Sequence, residues 1–211
     1  MAETNREIEA KFYVRDLKAI ETHLLSLNAR LIARRIHETN LRFDTPNGDL
    51  KHDGRVLRLR RDDGIRLTYK EDGKLTAGAH DRREIEFTVD DFDSAKQFIE
   101  ALGYEVIFIY EKFRTTYELD GAHIMLDELP YGNFVEIEGK LDKLKPIAKK
   151  LGLNWDAAIP MGYSALFEKV CTVRDLKFRD LSFENFKSTK IAASDLGVKP
   201  ADDASSTNKH G

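Results

Sequence analysis

The chain has 211 residues, 41% apolar and 34% charged, with a net charge of only −3. That length suits one large domain or two small ones, and the apolar fraction supports a real core. Balanced charge argues against nucleic acid as the main partner; the single cysteine, Cys171, excludes an internal disulfide; and no stretch approaches the ~20 apolar residues that span a bilayer. The N-terminus, Met-Ala-Glu-Thr-Asn-Arg-Glu, has no apolar signal core, so a cytoplasmic protein without a membrane partner is expected.

Residues 6–14 read as a strand. Asp16 is placed to cap a helix running to about Asn28, with Leu17, Ile20, Leu24, Leu25 and Leu27 as its apolar stripe. Residues 30–44 read as a long strand ending at the turn Thr45-Pro46-Asn47-Gly48. Residues 55–61 and 64–71 form a hairpin around Asp62-Asp63-Gly64. Glu71 to Asp81, with Gly73 and Gly78, reads as a flexible loop, and 82–89 as a strand. Asp91 to Leu102 is an amphipathic helix stopped by Gly103. Residues 104–119 are a long strand turning at Asp120-Gly121, and 122–128 with 133–140 form another hairpin. Helices follow at 142–151 and 164–173. This order makes residues 1–175 one folded unit and 176–211 a C-terminal extension. Leu181 to Phe186 is an apolar segment able to dock, and the polar stretch from Ser188 onward is expected to be a poorly ordered tail.

The strands share one construction. Alternate side chains of a strand point to the same face. Glu7, Glu9 and Lys11 therefore face away from Ile8, Ala10 and Phe12. Arg58 and Arg60 alternate with Leu57 and Leu59, and Arg66, Thr68 and Lys70 with Ile65, Leu67 and Tyr69. Glu84 and Glu86 alternate with Ile85 and Phe87, Lys112 and Arg114 flank Phe113, and Glu136 and Glu138 alternate with Val135 and Ile137. One such strand is ordinarily half-buried, with its charges in water. Six suggest a closed antiparallel barrel with apolar residues outward under helices and a charged lumen. Burying unpaired ions costs several kcal/mol each. A polyphosphate with a divalent metal satisfies both signs: carboxylates suit Mg²⁺ or Mn²⁺, and arginines and lysines suit phosphate oxygens. The six histidines show no metal spacing and read as surface or turn residues, with His80 nearest the site.

These segments, in this order, resemble the CYTH superfamily, the triphosphate tunnel metalloenzymes. Glu7-Ile8-Glu9-Ala10-Lys11 is similar to its N-terminal Glu-x-Glu-x-Lys motif, Leu57-Arg58-Leu59-Arg60 to its paired arginines, and Leu67-Thr68-Tyr69-Lys70 to its lysine strand. Arg83-Glu84-Ile85-Glu86-Phe87 resembles its central acidic strand, Glu111-Lys112-Phe113-Arg114 its Lys-x-Arg strand, and Asp127 with Phe134-Val135-Glu136-Ile137-Glu138 its last acidic strands. The resemblance covers residues 6–140, with a similar C-terminal helix at Tyr163 to Leu166. It implies an α+β fold: an eight-stranded antiparallel β-barrel tunnel with helices packed outside.

It also implies roles. Glu7, Glu9, Asp127, Glu136 and Glu138 would hold one or two Mg²⁺ or Mn²⁺ ions. Lys11, Arg58, Arg60, Lys70, Lys112 and Arg114 would clamp a triphosphate or nucleoside triphosphate. Lys11, Lys70, Glu84 and Glu86 are the catalytic candidates, with Glu84 or Glu86 orienting a water. The expected activity is hydrolysis of inorganic triphosphate to phosphate and pyrophosphate. The alternatives are a class IV adenylate cyclase making cyclic AMP from ATP and a non-catalytic polyphosphate- or nucleotide-binding module. Three features bear on the choice. Gly162-Tyr163 stands where the family often has Ser-Tyr. Val56 stands where thiamine triphosphatases of the mammalian kind carry tryptophan, so an aromatic platform is not in evidence. Glu138, which some cyclases lack, is present and favours hydrolysis. The oligomeric state is not legible.

Overall fold

A computed structural model describes residues 6–203. Period-two alternation builds the sheet. In β1 (Arg6–Val14), Ala10, Phe12 and Val14 are buried outward under helices while Glu9 and Lys11 are buried inward, so the strand is covered on both faces. Eight strands close into an antiparallel ring. Their order is β1, β9 (Gly132–Glu138), β8 (Ala122–Leu129), β7 (Glu105–Leu119), β2 (Arg30–Asp44), β3 (Val56–Arg61), β4 (Ile65–Lys70) and β6 (Ala79–Thr88), and β6 returns to β1 through the pairs Arg6↔Arg83 to Glu9↔His80. The eight-stranded closed sheet expected from the alternation is present, with helices outside it.

Segment 71–81 is not a loop. Residues Lys74–Thr76 form β5, which pairs with the start of β6 and prolongs the line of β4 along the same neighbour: Lys70↔Glu84 is followed by Lys74↔Asp81. Gly73 sits in that slip, and a Cβ there would stand 2.9 Å from Arg82 Cβ, so the position excludes a side chain. The tip, Ala77 and Gly78, turns with positive φ, and the sole tryptophan, Trp155, donates from Nε1 to the Ala77 carbonyl at 3.1 Å. The glycines that read as flexibility are geometric requirements of a tight hairpin.

Three apolar clusters wrap the ring. The first lies under α1 (Leu17–Ser26) and a helix at Leu141–Lys150, through Ile20, Leu24, Leu144, Ile147 and Ala148. The second lies under a helix at Tyr163–Arg174, and the third under a helix at Phe92–Ala101, where Ile99 meets Leu41, Phe43 and Leu59. Numbered in chain order, with a short α2 at Asp49–His52, these are α3 (92–101), α4 (141–150) and α5 (163–174). Asp16 and Asp91 cap α1 and α3 by accepting from Ala19 N and Ser94 N. The apolar face of β6 departs from the expected pattern: Ile85 and Phe87 are 37% and 54% exposed.

The C-terminal extension is ordered through Asp203, against the expectation of a disordered tail from Ser188. The reason lies in the ring. β8 pairs with β7 only from Phe113, which leaves the backbone of Ile109 to Glu111 open, and Leu181 fills it: its N–H donates to the Ile109 carbonyl at 2.9 Å and its carbonyl accepts from Glu111 N at 3.0 Å. Ala201 does the same for β1, donating to Tyr13 O at 2.8 Å, and Asp202 accepts from the backbone of Arg15 and Asp16. Two short helices, α6 (Phe183–Phe186) and α7 (Ala193–Leu196), bury Phe186 and Leu196 in the second cluster. A polar segment with few apolar residues is thus held by backbone donors and acceptors that the ring leaves unpaired. Residues 204–211 lie outside the described residues. Among the described residues no helix is long and apolar enough to cross a membrane.

Candidate active site in the tunnel

The inward faces enclose a cavity of about 650 Å³. Glu7, Glu9, Lys11, Arg58, Arg60, Lys70, Glu84, Glu86, Lys112, Arg114, Glu136 and Glu138 all line it, so the structure brings together every residue singled out in the sequence except one. Asp127 has a different place. It is fully buried on the inward face of β8, in phase with His123 and Met125 and covered by Lys112, Arg114 and Tyr163. Its Oδ1 accepts from Arg114 Nε at 2.6 Å, and its Oδ2 from Arg114 Nη2 at 2.6 Å, Tyr163 OH at 2.8 Å and Lys112 Nζ at 2.9 Å. Asp127 thus accepts from both bases and from the tyrosine hydroxyl and ties Lys112 and Arg114 together. Glu136 is similarly engaged, by Lys11 at 3.0 Å and by Arg114.

One end is acidic. Lys70 Nζ lies 2.7 Å from Glu7 and 3.0 Å from Glu84, and Arg82 Nε lies 2.8 Å from Glu7. Burial alone would raise the Glu7 pKa, but Lys70 and Arg82 outweigh it and hold the group well below the usual carboxylate range. Glu84 is raised, by burial and by Glu7, against the pull of Lys70. Glu138 forms no ion pair among the described residues, and burial with the charges of Glu7 and Glu9 pushes it up to about 7. Like charges crowd there because β1 and β9 place Glu9 directly opposite Glu138.

The rest of the lumen is basic. Arg58 lies 3.3 Å from Glu86 and donates to Thr68 Oγ1 at 3.2 Å; Arg60 lies 3.1 Å from Asp62 and 3.5 Å from Glu86; Lys112 lies 3.5 Å from Glu38. Burial opposes the ionisation of Glu38, yet Lys112, Arg114 and Arg60 bring it down to about 2. Glu86 is held below its ordinary value against burial, chiefly by Arg60, Thr68 and Arg58. Lys11 sits between Glu136 and Glu9 with its ammonium 4.5 Å from the Tyr163 ring centroid; burial would lower its pKa, and those two carboxylates raise it.

Several lumenal residues went unrecognised in the sequence. His80 and Arg82 share the phase of Glu84 and Glu86, and Glu38, Asn40 and Arg42 are in phase on β2. The alternation is visible, but the expected strand at 82–89 leaves out His80, which β6 includes, and the mixed face of β2 does not read as charged. His80 and His123, read as surface or turn residues, both line the cavity.

The donor set bears on the metal that the resemblance implies. Glu7, Glu9 and Glu138, with Glu84 beside them, are hard oxygen donors, and the unpaired Glu138, pushed up to about 7, marks negative charge in excess of local bases. They fit a divalent cation. Among the described residues, no three acids, histidines or cysteines are already drawn into a metal cage.

The Glu138 shift has a testable sign. An acid whose folded pKa exceeds its unfolded value binds its proton more tightly when folded, so stability falls as pH rises from 4.5 to about 7. The metal-free protein should lose up to about 3 kcal/mol across that window through this group. Glu138→Gln should flatten the loss in urea unfolding at several pH values. An unchanged slope would show that Glu138 ionises normally.

A closed antiparallel ring with a lumen lined by carboxylates and bases defines a tunnel fold with a charged interior. The chain belongs to the CYTH domain family, whose profile matches residues 5–150. It is similar to the adenylate cyclase CyaB of Aeromonas hydrophila, 26% identical over 184 residues covering 81% of this chain and 93% of that one. The fold is similar to that of a candidate adenylate cyclase from Vibrio parahaemolyticus, with a TM-score of 0.70 at 22% identity over 79% of this chain and 99% of that one. It is also similar to PH1819 of Pyrococcus horikoshii, with a TM-score of 0.66 at 28% identity over 77% and 99%.

Proposed function

We propose that this protein is a divalent-metal-dependent triphosphatase that hydrolyses inorganic triphosphate to phosphate and pyrophosphate. The observation that carries the reading is a tunnel in which arginines and lysines converge and the lining tyrosines among the described residues are already packed against other side chains. Tyr110 stacks on Phe108 with its hydroxyl 3.5 Å from Arg58, the Tyr163 ring lies under Lys11 with its hydroxyl on Asp127, and Trp155 is not among the lining residues. Such a lining rewards phosphate oxygens strongly and a nucleoside weakly.

In this reading Arg58, Arg60, Lys112 and Arg114 grip the phosphate chain, and Asp127 and Glu38 keep those bases aimed. Lys11 and Lys70 neutralise oxygens nearer the acidic end. Glu84 suits the proton acceptor better than Glu86: its raised pKa makes it the stronger base, whereas Glu86 is held low and hydrogen-bonded by Thr68 at 2.7 Å. Water oxygen attacks the terminal phosphorus, its proton passes to Glu84, and pyrophosphate leaves. A bound Mg²⁺ or Mn²⁺, held by Glu7, Glu9 and Glu138, would supply positive charge for the transferring phosphoryl oxygens.

The second reading is cyclisation of ATP, favoured by the name of the Aeromonas relative. A turnover screen with Mg²⁺ or Mn²⁺ over inorganic triphosphate, ATP and thiamine triphosphate separates the two. Phosphate and pyrophosphate from triphosphate, abolished by EDTA and restored by metal, is the expected result. Cyclic AMP as the main product from ATP, with little phosphate from triphosphate, would make the chain a cyclase.

A further inference from the structure

Among the described arginines lining the cavity, Arg42 alone forms no ion pair: the others face Asp81, Glu86, Asp62, Glu7 or Asp127. Its position makes this costly. The β2–β3 register sets Arg42 directly opposite Arg58, and like charges directly opposite one another across strands are destabilising. Both Nε atoms are buried without a hydrogen-bond partner. The next residue in phase, Asn40, stands opposite Arg60, is fully shielded from solvent, and leaves both its amide nitrogen and its amide oxygen unpartnered. Buried polar groups normally find partners, and buried charges find counter-ions. Here neither does, and the excess is cationic. An anion lying between two guanidinium groups would supply the missing counter-charge, since each offers paired N–H donors to phosphate oxygens.

We propose that Arg42 is a further substrate-binding residue, which together with Arg58 holds one phosphoryl group of a condensed inorganic phosphate, with the Asn40 amide as a polar floor beneath them. This rests on the reading that a triphosphate enters the tunnel, and it adds a point of grip on β2 to the residues expected on β1, β3, β4 and β7. Burial and the neighbouring Arg58 and Arg82 lower the Arg42 pKa, against a favourable contribution from Tyr110, which is the direction of a cation short of negative charge.

The proposal makes opposite demands on binding and on stability. Wild type, Arg42→Met and Arg42→Lys are titrated calorimetrically with diimidotriphosphate in the presence of Mg²⁺; nitrogen replaces both bridging oxygens of this triphosphate, so it resists hydrolysis. Each protein is also melted without ligand. Arg42→Met should bind about tenfold to a hundredfold more weakly, the loss expected for a charge-assisted hydrogen bond. Its ligand-free melting temperature should be equal or higher, because the like-charge pair with Arg58 is gone. Arg42→Lys should recover part of the affinity. Unchanged affinity in Arg42→Met with tight wild-type binding overturns this inference alone. A ligand-free melting temperature that falls in Arg42→Met marks a structural role and overturns it as well. Absence of wild-type binding overturns both this inference and the triphosphate reading beneath it.

Discussion

Asp127→Asn is expected to cost about 3–5 kcal/mol of folding stability, the scale of an uncompensated buried charge. The side chain is fully buried, and its two oxygens receive Arg114, Lys112 and Tyr163 together. Asparagine keeps the shape but removes the charge and turns one acceptor into a donor facing donors. Lys112 and Arg114 would then share only Glu38 and Glu136. Urea unfolding at neutral pH measures the loss. A change within about 1 kcal/mol would show that those carboxylates already balance the pair, and that Asp127 is free for another role. Polyphosphate should reduce the difference, because a ligand that binds only the folded state adds stability and brings anionic oxygens to the same bases.

Glu9→Gln is expected to lower metal-dependent turnover on the order of 10²-fold or more, the scale seen when groups around a metal are lost, and to leave the fold intact. Its ion pairs are long, 3.6 Å to Lys11 and 3.8 Å to Arg82, so little native attraction is lost. Its charge is one of those that push Glu138 up. Removing it should lower the Glu138 pKa and weaken Mn²⁺ binding measured directly by paramagnetic resonance. Unfolding of the variant would make Glu9 structural. Wild-type Mn²⁺ affinity would remove it from the metal-binding set.

The lumenal residues were legible because a strand reports its faces locally. Glu7, Glu9 and Lys11 share a face whatever β1 pairs with, and so do Arg58 with Arg60 and Lys112 with Arg114. Legibility failed where the face was mixed or the strand was not recognised. On β2, Glu38, Asn40 and Arg42 carry acid, amide and base, and the first part of that strand is exposed, so no single face announces itself. His80 lies in the segment that reads as a loop and Arg82 opens the expected strand at 82–89; the pairing of β5 with β6 and the bare Cα of Gly73 carry the strand back through His80.

The amino-acid sequence by itself determined the strand faces, the helix starts at Asp16 and Asp91, and the set of charges that line a common interior, all of which depend on neighbours a few residues apart. The tertiary structure alone decided which charge meets which. It set Asp127 behind Lys112 and Arg114, crowded Glu138 against Glu9, placed Arg42 across from Arg58, and drew residues 188–203 onto strand edges that the ring leaves open. Ion pairing and desolvation act through space over a few ångströms, between segments tens of residues apart in the chain, so period-two patterning can specify an interior but not its pairings.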